Sequence, residues 1–506
     1  MNLTGNNLHF RRQRVPNNTY RILALLIILV SSLFVIRAIY VTREIRSPFL
    51  PTAVPTRTAS SYADEGETHF TAGNLNQSIL AYQQAIKLDS NNTGLMAKLI
   101  RIQVYSSAMM ATDAEKRTRL NEALQNADAA VKMDPESAPA YAARALTLDW
   151  LANESLVGDQ WENYLTEASQ DAVRARQYDN KNVLAMAYYA EILLDQQQLS
   201  QAQQLIELAL SSEEKTMDIY RVNGLVMETL GQYGAAIKQY EKATQYTPNF
   251  TYLYQKMGVN YRQLKRYDQA MEMFQKAARI NEQLNVQDPI PYISIANTYS
   301  QTGDFFAAAL NVRKALSFDP SSPSTYANLG MVYFKSRNYE GAIDALQCAV
   351  RGCNPELSCT VRKCDDTVDP EVTITGMPLS DTTLVYYYTY ASALAGMSRS
   401  YNDFCQRANE IMAEIRAKYS DDPTTISIIS SSEEICRESA NASRVTATVT
   451  STLPPAQATA RALTPGTPSP TISSIQKTAT AAAKIKPTST ATPTVTPTAM
   501  EPSPSP

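Results

Sequence analysis

Four small residues, Ala236, Ala270, Ala308 and Ala342, sit in one recurring local pattern, and both the first and the last step between them are 34 residues long. Each follows an aromatic residue by three positions: Tyr233, Tyr267, Phe305 and Tyr339. This period and pattern belong to a helix-turn-helix unit that buries its apolar face only by stacking on its neighbours. A chain ruled by such a period grows lengthwise without enlarging a single core, so 506 residues need not imply several globular domains. The period points to a binding scaffold rather than to a catalyst.

The clearest copy contains Tyr220, Gly224, Gly231, Tyr233, Ala236, Tyr240, Ala243 and Pro248, and the next keeps the frame with Tyr254, Gly258, Tyr261, Tyr267, Ala270, Phe274 and Ala277. Two more follow, around Tyr292, Ala296, Ala308 and Pro320, then Tyr326, Gly330, Ala342 and Ala349. These residues resemble the tetratricopeptide repeat. Altered copies precede them: one opens at Tyr62, a second has a lengthened connection near Thr112 to Arg119, and a third carries an insertion with Trp150 and Trp161. A degenerate copy begins near Tyr388. The expected fold is all-α, a tetratricopeptide helical solenoid of about eight to nine repeats over residues 61–420, with a helical cap at 421–440.

Both ends depart from the repeat. Residues 1–21 form a basic tail, and residues 22–41 form an apolar run of the length that a bilayer core requires. Its Leu, Ile, Val and Phe residues favour insertion by about 6 kcal/mol, against about 3 kcal/mol for Arg37. An uncleaved signal-anchor helix is preferred over a cleaved signal peptide, because Arg37 stands where small residues would mark a cleavage site. Arg11, Arg12, Arg14 and Arg21 precede the helix and Arg43, Arg46 and Arg57 follow it, which favours a cytoplasmic N-terminus and extracytoplasmic repeats. Residues 42–60 read as a Pro-rich linker, and residues 441–506 as a disordered Thr/Pro/Ser/Ala-rich tail, either a stalk or plain filler.

In the repeats that the chain resembles, the first helix of each pair lines a concave groove. That resemblance puts Arg221, Glu228, Tyr252, Gln255, Arg262, Asn297, Phe334 and Lys335 on a candidate peptide-binding face. Aromatic anchors beside Arg and Asn suit a protein or peptide ligand. No copy pairs Lys and Asn as the carboxylate-clamping members of the family do, so a chaperone-tail clamp is not expected.

All six cysteines lie late: Cys348, Cys353, Cys359, Cys364, Cys405 and Cys436. An insertion at about 351–382, containing a strand-like run from Glu371 to Thr375, breaks the repeat there. The spacing lacks a tight zinc knuckle and no His is near, so disulfides are expected rather than metal, in pairings the sequence leaves open. The chain has two histidines, His9 and His69, and neither a phosphate-binding Gly loop nor a nucleophile elbow. A formal net charge of -3 gives no electrostatic case for nucleic acid.

The sequence is thus read as a membrane-tethered scaffold that binds a protein or peptide and organises a cell-envelope complex, with no catalysis and no cofactor of its own. It looks like bacterial anchors that tether such repeats near the secretion machinery. The alternatives are a regulatory subunit of an envelope glycan or wall-synthesis enzyme, and a cytoplasmic-facing scaffold. The oligomeric state is left open.

Overall fold

The computed structural model describes residues 18–40, 57–365, 369–399 and 402–452. The start of the basic tail, most of the Pro-rich linker and residues 453–506 lie outside them. The chain divides into two compact units, Met1–Thr58 and Ala59–Pro506. In the first, α1 (Thr19–Tyr40) is a 22-residue helix whose Leu, Ile, Val and Phe side chains from Ile22 to Ile36 are exposed. Its stretch Thr19–Ala38 has a mean hydropathy of 2.3, enough in length and composition to cross a membrane.

The second unit is a run of antiparallel helix pairs. They are α2 (Ala59–Thr71) with α3 (Leu75–Leu88), α4 (Thr93–Ser107) with α5 (Asp113–Met133), and α6 (Ala138–Leu151) with α8 (Trp161–Tyr178). Between α6 and α8 the Trp-bearing insertion forms α7 (Glu154–Val157) and a 3-10 turn at Gly158–Gln160. Next come α9 (Val183–Asp195) with α10 (Leu199–Ser211), α11 (Met217–Thr229) with α12 (Tyr233–Tyr246), and α13 (Thr251–Gln263) with α14 (Tyr267–Gln283). Then follow α15 (Ile290–Thr302) with α16 (Phe305–Phe318), and α17 (Pro323–Lys335) with α18 (Tyr339–Val350). After α19 (Pro355–Arg362) the last pair is α20 (Leu384–Gly396) with α21 (Phe404–Lys418), capped by α22 (Pro423–Thr452).

The repeat residues explain the pairing. Ala236, Ala270, Ala308 and Ala342 are all fully buried, where only a methyl fits between helices. Gly224 lies flat under the ring of Tyr240, so that a Cβ there would fall 2.6 Å from the ring carbon Cε1. A mid-helix Gly costs about 1 kcal/mol relative to Ala, and here the close approach of the two helices repays it. Short polar residues start the helices: Asn74, Asn92, Asn182, Thr216, Asp304 and Ser322 each accept a hydrogen bond from a first-turn backbone N–H.

Three details differ from the sequence reading. The lengthened connection in the second copy is taken up mainly as helix, because Thr112 and Glu115 form a reciprocal capping box that starts the 21-residue α5 early. The Glu371 to Thr375 run contributes a single antiparallel bridge, Cys353 with Ile374, with backbone hydrogen bonds of 3.0 and 2.9 Å, and no strand among the described residues. Backbone helix continues past residue 441 to Thr452, since no proline occurs before Pro454 to stop it.

Candidate functional site

The inner face of the first six repeats is filled by the chain's own side chains. Arg101 of α4 donates through Nε and Nη2 to the Asp218 carboxylate of α11, at 3.1 and 2.6 Å, across 117 residues of sequence. Tyr105 and Tyr188 donate their hydroxyls to the same carboxylate. Burial alone would raise the Asp218 carboxyl, but the charges of Arg101 and Arg221 and the Tyr105 hydroxyl hold it below its usual value. Arg221, 0% exposed, donates from both terminal nitrogens to Glu191 of α9 and lies 5.3 Å over the Tyr105 ring.

Aromatic rings close the gap. Tyr105 packs 5.3 Å from Phe250 and 5.6 Å from Trp150, and Trp150 packs 6.0 Å from Tyr252 while donating its indole N–H to Glu191. The superhelix is so tightly wound that the fifth and sixth repeats return to the first. Asn249 donates its amide to the Ala72 carbonyl at 3.1 Å, and Gly73 touches the Asn249 backbone. One apolar cluster accordingly has members from Phe70 to Ile280, beside smaller clusters from Ala145 to Ile192 and from Val183 to Val226.

This closure corrects much of the expected groove. Arg221 is an interior ion pair, not a ligand contact. Gln255 is buried and donates to Asp288 at 2.8 Å. Glu228 is committed to Tyr240, Lys256 and Asn260 at 2.9, 3.1 and 2.8 Å. Tyr252 stacks on Phe250 at 5.7 Å, and Phe334 is buried against Tyr339. Arg221 and Tyr252 reach across the closed turn to Tyr105 and Trp150, whereas Glu228, Gln255 and Phe334 are taken up by partners in their own or the next repeat.

Of the eight, Glu228 and Tyr252 are half-buried with the partners just named, and three more keep exposure: Arg262 in the sixth repeat, and Asn297 and Lys335 in the repeats beyond it. Lys335 is exposed, with its ammonium 3.4 Å from the Ser300 hydroxyl of α15. Asn297 is half-buried on the same helix. Arg262 is half-buried, donates to the Ser294 carbonyl at 3.3 Å, and is pulled below its ordinary pKa by desolvation. The partly exposed Ile290, Ile293 and Met331 lie on helices α15 and α17 beside them. Together they form a mixed apolar and cationic strip on α13, α15 and α17.

Sequence reasoning missed the interior charges on α6 and α9. Burial, then the charges of Asp195 and Glu191, push the Asp149 carboxyl well above its usual range, and Asp195 is pushed up to about 6. Asp288, buried beside Gln255 and Asn281, is also pushed up to about 6 by desolvation. The signal was a carboxylate, Asp149 or Glu191, in a mostly apolar helix, which requires a partner that local sequence cannot supply.

The six cysteines pair as Cys348 with Cys353, Cys359 with Cys364, and Cys405 with Cys436, at Cα separations of 4.7, 5.1 and 5.4 Å. The first ties the end of α18 to the bridge at Cys353, the second lies within the insertion, and the third joins α21 to α22.

Stacked two-helix units with small interface residues and left-handed turns define a helical repeat solenoid, the class of protein that presents surfaces to other proteins. The tetratricopeptide-repeat family model matches residues 59–92, 224–250 and 251–284, and the chain is a tetratricopeptide-repeat protein. It is similar to the BBSome complex member BBS4 of Bos taurus, 26% identical over 117 residues, which is 23% of this chain and 22% of the relative. It is also similar to anaphase-promoting complex subunit 3 of Schizosaccharomyces pombe, 25% identical over 113 residues, or 22% of this chain and 16% of that one. The chain thus spans less than a quarter of the length of either relative. Among solved structures, the APC/C hetero-tetramer Cut9-Hcn1 superposes with a TM-score of 0.46 and 14% identity, covering 61% of this chain and 54% of that one.

Proposed function

We propose that this protein is a non-catalytic scaffold, tethered to a membrane by α1, that binds a protein or peptide on the concave strip of α13, α15 and α17. The repeats support a protein-interaction scaffold. The observation that carries the finer reading is the contrast within one solenoid: the inner face of the early repeats is sealed by Arg101, Asp218, Arg221 and Glu191, while Arg262, Asn297 and Lys335 remain accessible. The strip's free charges are cationic, which favours an acidic segment in the ligand. The apolar α1 and the three disulfides support an extracytoplasmic solenoid in a cell envelope.

Cross-linking in intact cells tests the site. Arg262→Glu with Lys335→Glu is expected to lose the captured partner, whereas Lys238→Glu on α12 retains it. An identical set of partners for both would refute the strip. A membrane-impermeant maleimide against Glu213→Cys tests the topology: labelling of intact cells is expected, and labelling only after permeabilisation would reverse the orientation.

A further inference from the structure

The exposed face of α16 departs from the other repeats. In the in-frame helices α12, α14 and α18, the opening aromatic is followed by Gly234, Asp268 and Glu340, and four residues later by Lys238, Glu272 and Asp344. In α16 those positions hold Phe306 and Leu310, 76% and 46% exposed and one turn apart on one face. Phe306 is the most exposed aromatic ring among the described residues of the solenoid. Beside it a cleft of about 400 Å³ opens between α16 and α18, walled by Phe305, Ala309 and Tyr333 and lined also by Thr360 and Val361 of α19. The cleft is large enough for one aromatic or branched aliphatic side chain, the kind of anchor that carries an interface.

The charges around this apolar pair select its occupant. Tyr299 of α15 packs against the cluster of Ala270 and Phe274 from α14 and against that of Ala308 and Ala309 from α16, so α14 and α16 lie in neighbouring layers. On the other side Asp344 of α18 lines the cleft itself, with Glu340 one turn before it. Asp268, Glu272 and Glu340 are exposed and have no ion-pair partner among the described residues. The cations of α16 are already engaged: Arg313 donates to the Tyr333 oxygen at 2.8 Å, and Lys314 holds its ammonium 4.8 Å over the Phe318 ring. Asp344 feels the charge of Arg407, and Lys363 stands exposed at the α19 end of the cleft.

An apolar ridge with uncommitted carboxylates in the repeats before and after it complements a helix whose apolar stripe is flanked by Lys or Arg. The same carboxylates oppose an anionic bilayer surface. We infer that Phe306, Leu310 and the adjoining cleft form a second docking surface, which takes a basic amphipathic helix of a partner protein and seats one bulky apolar side chain of that helix between α16 and α18. None of these residues belongs to the strip of Arg262, Asn297 and Lys335, and the two surfaces select opposite charges. The scaffold would thus hold two partners of different chemistry, and failure of one site leaves the other standing.

The test titrates the full chain in detergent against a fluorescent synthetic helix of Ala and Lys carrying one central Phe, with empty micelles as the blank. Saturable binding with a Kd of about 10–100 µM is expected. Phe306→Asp with Leu310→Lys, which restores the residue types of the other repeats, should weaken it at least tenfold with circular dichroism unchanged. Asp268→Asn, Glu272→Gln and Glu340→Gln together should weaken it at least fivefold and flatten its dependence on salt. Equal binding of a helix with Glu in place of Lys, or binding indifferent to Phe306, overturns the proposal. A dimer of the full chain that dissociates on Phe306→Asp also overturns it, by giving the surface to a second copy. Quenching of a Phe306→Trp chain by brominated lipid in reconstituted vesicles overturns it in favour of the bilayer.

Discussion

Replacing Arg221 by Met tests whether the inner face is sealed. The side chain is fully buried and both terminal nitrogens bond Glu191, whose remaining partner is the Trp150 indole N–H at 3.3 Å. Met preserves most of the volume, so the loss is mainly electrostatic: one carboxylate left buried without its cation. Breaking a buried pair this way costs about 3–5 kcal/mol, whereas removing both charges is close to neutral. Arg221→Met alone should therefore lower the urea midpoint by roughly 1–2 M at a slope of about 2–3 kcal/mol/M. Adding Glu191→Leu should recover most of that loss. Trp150 is one of only two tryptophans and contacts Tyr105, Tyr252 and Glu191, so its emission reports this region even if distant repeats unfold separately. If the single substitution costs less than about 1 kcal/mol and leaves the emission unchanged, then Arg221 is solvated and the closed inner face is wrong.

Three further outcomes are expected. Gly73→Ala places a side chain at φ 76 and a Cβ 2.6 Å from the Asn249 carbonyl oxygen; beyond a backbone cost of about 1–2 kcal/mol, it should unclasp the first repeat and speed amide hydrogen exchange in α2 and α3 while α17 and α18 keep their protection. Asp288 has a folded pKa of about 6, above its unfolded value, so its contribution is full below about pH 4 and is lost as pH rises through 6. Asp288→Asn should flatten that loss, with Asn281, whose Oδ1 lacks a partner, and Gln255 both turning their amides to accept from the new amide; pH-dependent thermal melts check it. Lys265 holds φ 60 in the turn between α13 and α14, and Lys265→Gly should relieve about 1 kcal/mol of strain, read as a rise in denaturation midpoint.

The fold was legible because its determinants are local and periodic. Ala236 and Ala270 mark helix contacts within one or two units, and Gly224 faces Tyr240 only 16 residues on, so the spacing that reveals the repeat also builds it. The groove was only partly legible. Arg262, Asn297 and Lys335 stay at the surface, but Arg221 and Gln255 do not, because no local pattern records that Arg101 meets Asp218 across 117 residues. The cysteines show the same division: their late clustering was visible, and their pairing needed the positions of α18, α21 and α22.

By itself, then, the sequence determined a solenoid of tetratricopeptide repeats, one apolar segment long enough to cross a bilayer, and a cysteine-bearing break after α18. Only the tertiary structure decided which inner-face residues meet each other and which meet solvent. The reason is geometric: small rotations between successive repeats, each set by side-chain volumes too slight to read from the period, accumulate along the array until Asn249 reaches Ala72 and turns an expected groove into a core.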